Sequence, residues 1–166
     1  ALRAHRDAQI RVETALCDGE LELHYQPKMD ARSNHLTGVE ALIRWKHPQL
    51  GLRLPGEFLP MVSESRFEVE LGNWVLATAV AQLDSWCQAG FSTPMSVNIS
   101  ARHLLHPDFV AELKSVLKAH PGVDAGLLQF EVLETAALGD VKRIAAIMAE
   151  CNSLGVSFAI DDFGIG

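Results

Sequence analysis

From residue 68 onward the chain alternates helix-period and strand-period segments three times. EVELGNWVLATAVAQLDSWCQA (68–89) places Leu71, Trp74, Val75, Thr78, Ala79, Leu83 and Trp86 at helical spacing, with Gly90 just past the end. MSVNIS, ending at Ser100, is a short strand. Pro107 suits the first turn of the next helix, whose apolar face is Phe109, Val110, Leu113, Val116 and Leu117. LLQFEVL (127–133) is a strand. Asp140 is placed to cap a helix carrying Val141, Ile144, Ala145, Met148 and Cys151; Gly155 ends it, and VSFAID follows as a strand. Strands joined by single helices lie parallel, so the fold class is α/β around a parallel sheet.

The first third reads differently. Residues 1–18 form a polar helix bearing Ile10, Val12 and Leu16, stopped by Gly19 and read as a linker from an upstream domain. ELELHYQPKMD (20–30) sets Leu21, Leu23 and Tyr25 against Glu20, Glu22 and His24, a strand at period two that Pro27 is expected to end. HLTGVEALIRWKHP (35–48) is a second strand. Residues 49–56 read as a Gly/Pro loop, and EFLPMVSES (57–65) as a short helix.

Composition excludes some classes. A net charge of −7 argues against binding polymeric nucleic acid through a basic surface. No apolar run reaches the roughly 18 residues that span a bilayer, and no signal-peptide pattern opens the chain. Cys17, Cys87 and Cys151 are three in number and lie far apart, which reads as buried thiols of a reducing cytoplasm. His103 and His106 form a lone HxxH, a weak metal signal. No strand is followed by GxGxxG or GKS/T, and GxSxG is absent, so dinucleotide, P-loop and serine-hydrolase sites are not indicated.

The informative residues are polar side chains inside apolar strands. Glu40 interrupts VEAL, Asn98 SVNIS and Glu131 FEVL, while Asp161 and Asp162 close FAIDD. Strand C-terminal ends are where α/β sheets build chemistry. A single acid there is ordinarily a cap or a solvated loop residue. Four carboxylates and an amide on successive strands instead suit a hard divalent cation such as Mg²⁺ or Mn²⁺. Adjacent aspartates can serve two ions, one side chain bridging them.

These residues stand in a recognisable order. YQPK (25–28), VEALIRW (39–45), HPQLG (47–51), PGEFLP (55–60), SVNIS, FEVLET and DDFGIG (161–166) together resemble the EAL domain, the bacterial cyclic di-GMP phosphodiesterase family. The resemblance implies a TIM-like (β/α) barrel with one antiparallel strand near its start, and hydrolysis of cyclic di-GMP to linear pGpG with two Mg²⁺ or Mn²⁺ ions. It implies Glu40, Asn98, Glu131 and Asp161 as ligands of the first ion. Asp161 and Asp162 would hold the second, and Glu134 the loop after DDFG. Arg44 would reach a substrate phosphate, Gln26 would lie near the ligand, and Leu42 would line the pocket with its backbone. Trp45 is left to the core. A homodimer, a fused sensory or GGDEF (diguanylate cyclase-like) domain and a cytoplasmic location are the family's expectations.

Leu133 and Ile165 depart from the family's usual Thr and small residue near that loop. The family also continues past DDFG, supplying a lysine, another acidic ligand and a glutamine. With Ala1 at its start and 166 residues against the ~250 of a whole barrel, residues 19–166 of this chain read as the N-terminal portion of an EAL domain, expected to be inactive alone. The alternative is a catalytically inactive EAL-type receptor that binds cyclic di-GMP and signals through partners.

Overall fold

The computed structural model describes residues 1–133 and 140–161, the side chains of Leu133 and Asp161 excepted. In chain order the elements are α1 (Leu2–Cys17), β1 (Leu21–Met29), β2 (Leu36–His47), β3 (Gly51–Arg53), α2 (Pro55–Phe58), α3 (Arg66–Gln88), β4 (Met95–Ile99), α4 (Ala101–Leu104), α5 (Phe109–Ala119), β5 (Leu128–Leu133), α6 (Val141–Ser153) and β6 (Ser157–Asp161). The strands make one sheet in the order β1-β2-β4-β5-β6, with β3 beside β2. β2, β4, β5 and β6 run parallel, and β1 pairs antiparallel with β2.

The helices cover one face of this sheet. Val39, Ala41, Met95, Val97, Ile99, Leu128, Phe130 and Val132 point to that side and pack with Leu76, Ala79, Val80 and Leu83 of α3, Phe109 and Leu113 of α5, and Ile144 and Cys151 of α6. Burying a leucine such as Leu76 or Leu83 stabilises by about 1.5–3 kcal/mol. Phe109, Phe130 and Phe158 stack edge to face at 5.8 and 5.4 Å through the middle of this cluster, each pair adding ~0.5–1.5 kcal/mol beyond its buried area. A second cluster joins Val12 and Ala15 of α1 to Leu21, Ile43, Trp45, Phe58 and Phe67. Above it Arg11 forks onto Glu20 at 2.7 and 3.1 Å and lies over the Trp45 ring. Trp45 is thus core, as its place in the strand suggested.

Helix boundaries follow local chemistry. Gly19 and Gly90 take φ of +71° and +87° just past α1 and α3, a backbone region that favours glycine. The Asp140 side chain accepts from Arg143 N at 3.3 Å and caps α6.

Several expectations are corrected. β1 runs through Pro27 to Met29 rather than stopping at the proline. Among the described strands β1 pairs only with β2, so it is an edge, and a missing N–H on the open side forfeits no ladder bond. The loop at 49–56 contains β3, whose Gly51 and Arg53 pair with His47 and Trp45, followed by α2; three residues are too few to show a period. The helix expected at Pro107 begins at Phe109, and α4 precedes it. Val141 and Ala145 of α6 are exposed. Of the three cysteines only Cys151 is buried; Cys17 is exposed and Cys87 intermediate.

Candidate active site

Because side chains alternate along a strand, covering one sheet face with helices leaves every second residue on the other. That other face carries most of the strands' polar side chains. In β2 the residues on it are Glu40, Leu42 and Arg44. The antiparallel register sets Gln26 opposite Glu40 and Glu22 opposite Arg44. The parallel register continues the row: Glu40 with Ser96, Ser96 with Gln129, Asn98 with Glu131, and Glu131 with Ala159. Asp161 ends β6 two residues beyond Ala159, in register with Leu133.

Glu40 is not at a strand end, as the sequence suggested. It lies mid-strand, because β2 runs on to His47 in its pairing with β1 and β3. It does lie at the end of the parallel ladder, whose last β2–β4 rung is Ala41 with Val97. That places it beside Asn98, whose Nδ2 donates to Glu40 Oε2 at 3.1 Å. Glu131 is held from another direction. Lys28 Nζ donates to Glu131 Oε1 at 3.0 Å and to Ser96 Oγ at 2.8 Å, and Ser96 Oγ donates to Gln129 Oε1 at 3.2 Å.

A cavity of about 560 Å³ adjoins this row. Glu40, Asn98 and Glu131 form its polar edge, Leu42, Leu59, Val62 and Val75 much of its apolar wall, and Glu68 and His103 also border it. Burial raises the Glu68 carboxyl above its ordinary range. His103 is buried, and its Nε2 bonds Asn73 Oδ1 at 2.7 Å. A carbonyl oxygen can only accept, so Nε2 carries the hydrogen and Nδ1 keeps a bare lone pair, which has no partner. Burial, and then the nearby His106, hold the ring's pKa down at about 4. The HxxH is not a shared site: His106 Nδ1 accepts from Asp108 N at 3.1 Å.

The structure therefore brings Glu40, Asn98, Glu131 and Leu42 to one cavity. Gln26 is in register with Glu40, but neither it nor Arg44 borders that cavity; Arg44 Nη1 donates to Ile43 O at 2.9 Å. Glu134 and Asp162 lie outside the described residues, as does the side chain of Asp161. Among the described residues no group of three or more His, Cys, Asp and Glu is gathered closely enough to hold a metal. Lys28, which the sequence reading does not single out, also meets this row; its shared strand parity with Gln26 in YQPK is the signal that could have found it.

The EAL domain family model matches residues 9–166. The chain belongs to the EAL domain family. This EAL domain is 38% identical over 148 residues to the bifunctional diguanylate cyclase/cyclic di-GMP phosphodiesterase MucR of Pseudomonas aeruginosa, covering 89% of the present chain and 22% of MucR. It is 35% identical over 144 residues to a cyclic di-GMP phosphodiesterase of the same organism, covering 87% of this chain and 24% of that one. The chain thus spans about a quarter of the length of these relatives. The solved MucR phosphodiesterase in complex with c-di-GMP superposes with a TM-score of 0.89 at 37% identity, over 96% of this chain and 65% of that one. The sheet of this EAL domain, with its antiparallel first strand, is part of a TIM-like barrel. Among the described residues no helix is long and apolar enough to cross a membrane.

Proposed function

We propose that this EAL domain supplies the metal-ligating part of a phosphodiesterase that cleaves cyclic di-GMP to pGpG. The observation that carries the reading is the meeting of Glu40, Asn98 and Glu131, from three neighbouring strands, at the edge of one cavity. Their donors are all hard oxygens, which fits Mg²⁺ or Mn²⁺ and disfavours a thiolate-seeking ion. Glu40, Asn98, Glu131 and Asp161 would hold one ion, and Asp161 with Asp162 a second. When bound, such ions supply positive charge and Lewis acidity for displacement at phosphorus.

The chain's own residues do the rest. Asn98 fixes the Glu40 carboxylate through its amide N–H and keeps a carbonyl oxygen to offer. Arg44 presents a planar fork suited to a phosphate. Leu42 and the apolar wall exclude water from one side of the ligand. Gln26 contributes a polar contact near the bound nucleotide, and Glu134 steadies the loop after DDFG. A homodimer, a fused sensory or GGDEF domain joined through residues 1–18, residues 19–166 as the EAL portion, and a cytoplasmic location complete the reading.

The test is to incubate the full-length protein with cyclic di-GMP and Mg²⁺ or Mn²⁺ and to follow products by chromatography. Release of pGpG is expected. Binding of cyclic di-GMP without pGpG would place the protein with receptors instead.

A further inference from the structure

Lys28 is an edge-strand lysine whose ammonium reaches across the sheet face. Its strand, β1, is the edge, and its register partner is Gly38, the pair next to Gln26–Glu40 on the same side of the ladder and further from Asn98. Gly38 has no side chain, so the lysine stem can pass over β2. The ammonium then reaches Ser96 on β4 at 2.8 Å and Glu131 on β5 at 3.0 Å. The side chain of Glu131 is 17% exposed and that of Lys28 38%, so the carboxylate is the better shielded end of this ion pair. Ser96 is 5% exposed, and its hydroxyl accepts from Lys28 while donating to Gln129. The direction of approach matters. Ser96 precedes Asn98 by two residues on β4, so the ammonium comes to Glu131 from the N-terminal side of the parallel strands. Asn98, in register with Glu131, stands toward the C-terminal side of Ser96, and Glu40, in register with Ser96, is joined to Asn98 by the 3.1 Å bond. Lys28 holds Oε1 of Glu131 and leaves Oε2 for a ligand there.

We propose that Lys28 is a positioning residue for the divalent cation: it fixes the Glu131 carboxylate, through Ser96 and Gln129 behind it, so that one oxygen faces the ion. This rests on the metal-site reading above. Groups that orient a metal's ligands typically change affinity 10–100-fold when removed. The alternative is simple charge repulsion between ammonium and metal, under which removing Lys28 would tighten binding.

The experiment titrates the full-length protein with Mn²⁺ alone and reads free ion by electron paramagnetic resonance, with no nucleotide present. Lys28→Met is expected to weaken Mn²⁺ binding about tenfold or more, and Lys28→Arg to stay within about threefold of wild type. Should the Met variant fail to fold, Lys28→Gln, polar but uncharged and one bond shorter, is expected to show the same loss. A folded Met or Gln variant that binds Mn²⁺ as tightly as wild type, or more tightly, overturns the proposal. Wild-type protein that takes up no Mn²⁺ overturns the metal-site reading and the Lys28 role with it; normal uptake with unaffected variants overturns only the latter.

Discussion

Asn98 donates from Nδ2 to Glu40 Oε2 at 3.1 Å, although 58 residues separate them in the chain. The contact exists because β2 and β4 are parallel neighbours whose ladder ends just beyond Glu40. Asn98→Ala removes both that donor and an amide oxygen. Turnover of cyclic di-GMP is expected to fall about 10–100-fold. Asn98 is exposed, so the melting temperature should stay close to wild type. Product chromatography and a thermal melt on the same preparation check both halves.

Arg44 shares the strand face of Glu40 but sits beyond the cavity edge. If its guanidinium meets a phosphate, Arg44→Ala should weaken cyclic di-GMP binding roughly 10–100-fold, the worth of one charge-assisted hydrogen bond. Calorimetry with Ca²⁺ in place of the catalytic ions measures this without turnover. Unchanged affinity would move Arg44 to a structural role.

The parallel course of β4, β5 and β6 was legible from strands spaced by single helices, and the polar row from polar residues inside apolar strands. Glu40, Asn98 and Glu131 stood out as polar residues in apolar strands, and the structure gathers them. Lys28 did not stand out. A lysine on an edge strand ordinarily points to water; this one, opposite Gly38, reaches across to β5. β3 is set by pairing to Trp45 and His47, which three residues cannot announce. The buried state of His103 depends on α3 passing over α4, a tertiary fact with no local signal.

That burial makes stability depend on pH. The His103 pKa is about 4 in the fold, against an ordinary 6.5. Between these values the unfolded chain binds more protons, so stability rises with pH. The contribution is complete above about pH 6.5 and is lost as pH falls toward 4, amounting to roughly 3 kcal/mol at the limit. Urea unfolding at a series of pH values should show this slope, and His103→Gln should flatten it. An equal slope in the variant would contradict the assignment.

Gly72 of α3 lies against the same ring. A Cβ there would come within 2.4 Å of His103 Nδ1 and 2.8 Å of Cε1. His103 is held by Asn73 at 2.7 Å and packs edge to face on Phe109 at 4.9 Å, contacts that a shift of the ring would break. Gly72→Ala is therefore expected to destabilise by about 1–3 kcal/mol. Gly122→Ala, whose nearest neighbour would be Asp84 Oδ1 at 3.8 Å, should change little. Paired urea denaturations compare the two.

The central claim is that strand-borne oxygens hold cations for phosphodiester cleavage, and Glu40→Gln tests it most directly. The change keeps shape, and the amide can still bond Asn98, but it removes one carboxylate ligand. Cyclic di-GMP hydrolysis by the full-length protein in Mn²⁺ should fall by at least about 100-fold with the fold intact. A variant that releases pGpG at the wild-type rate would contradict the account.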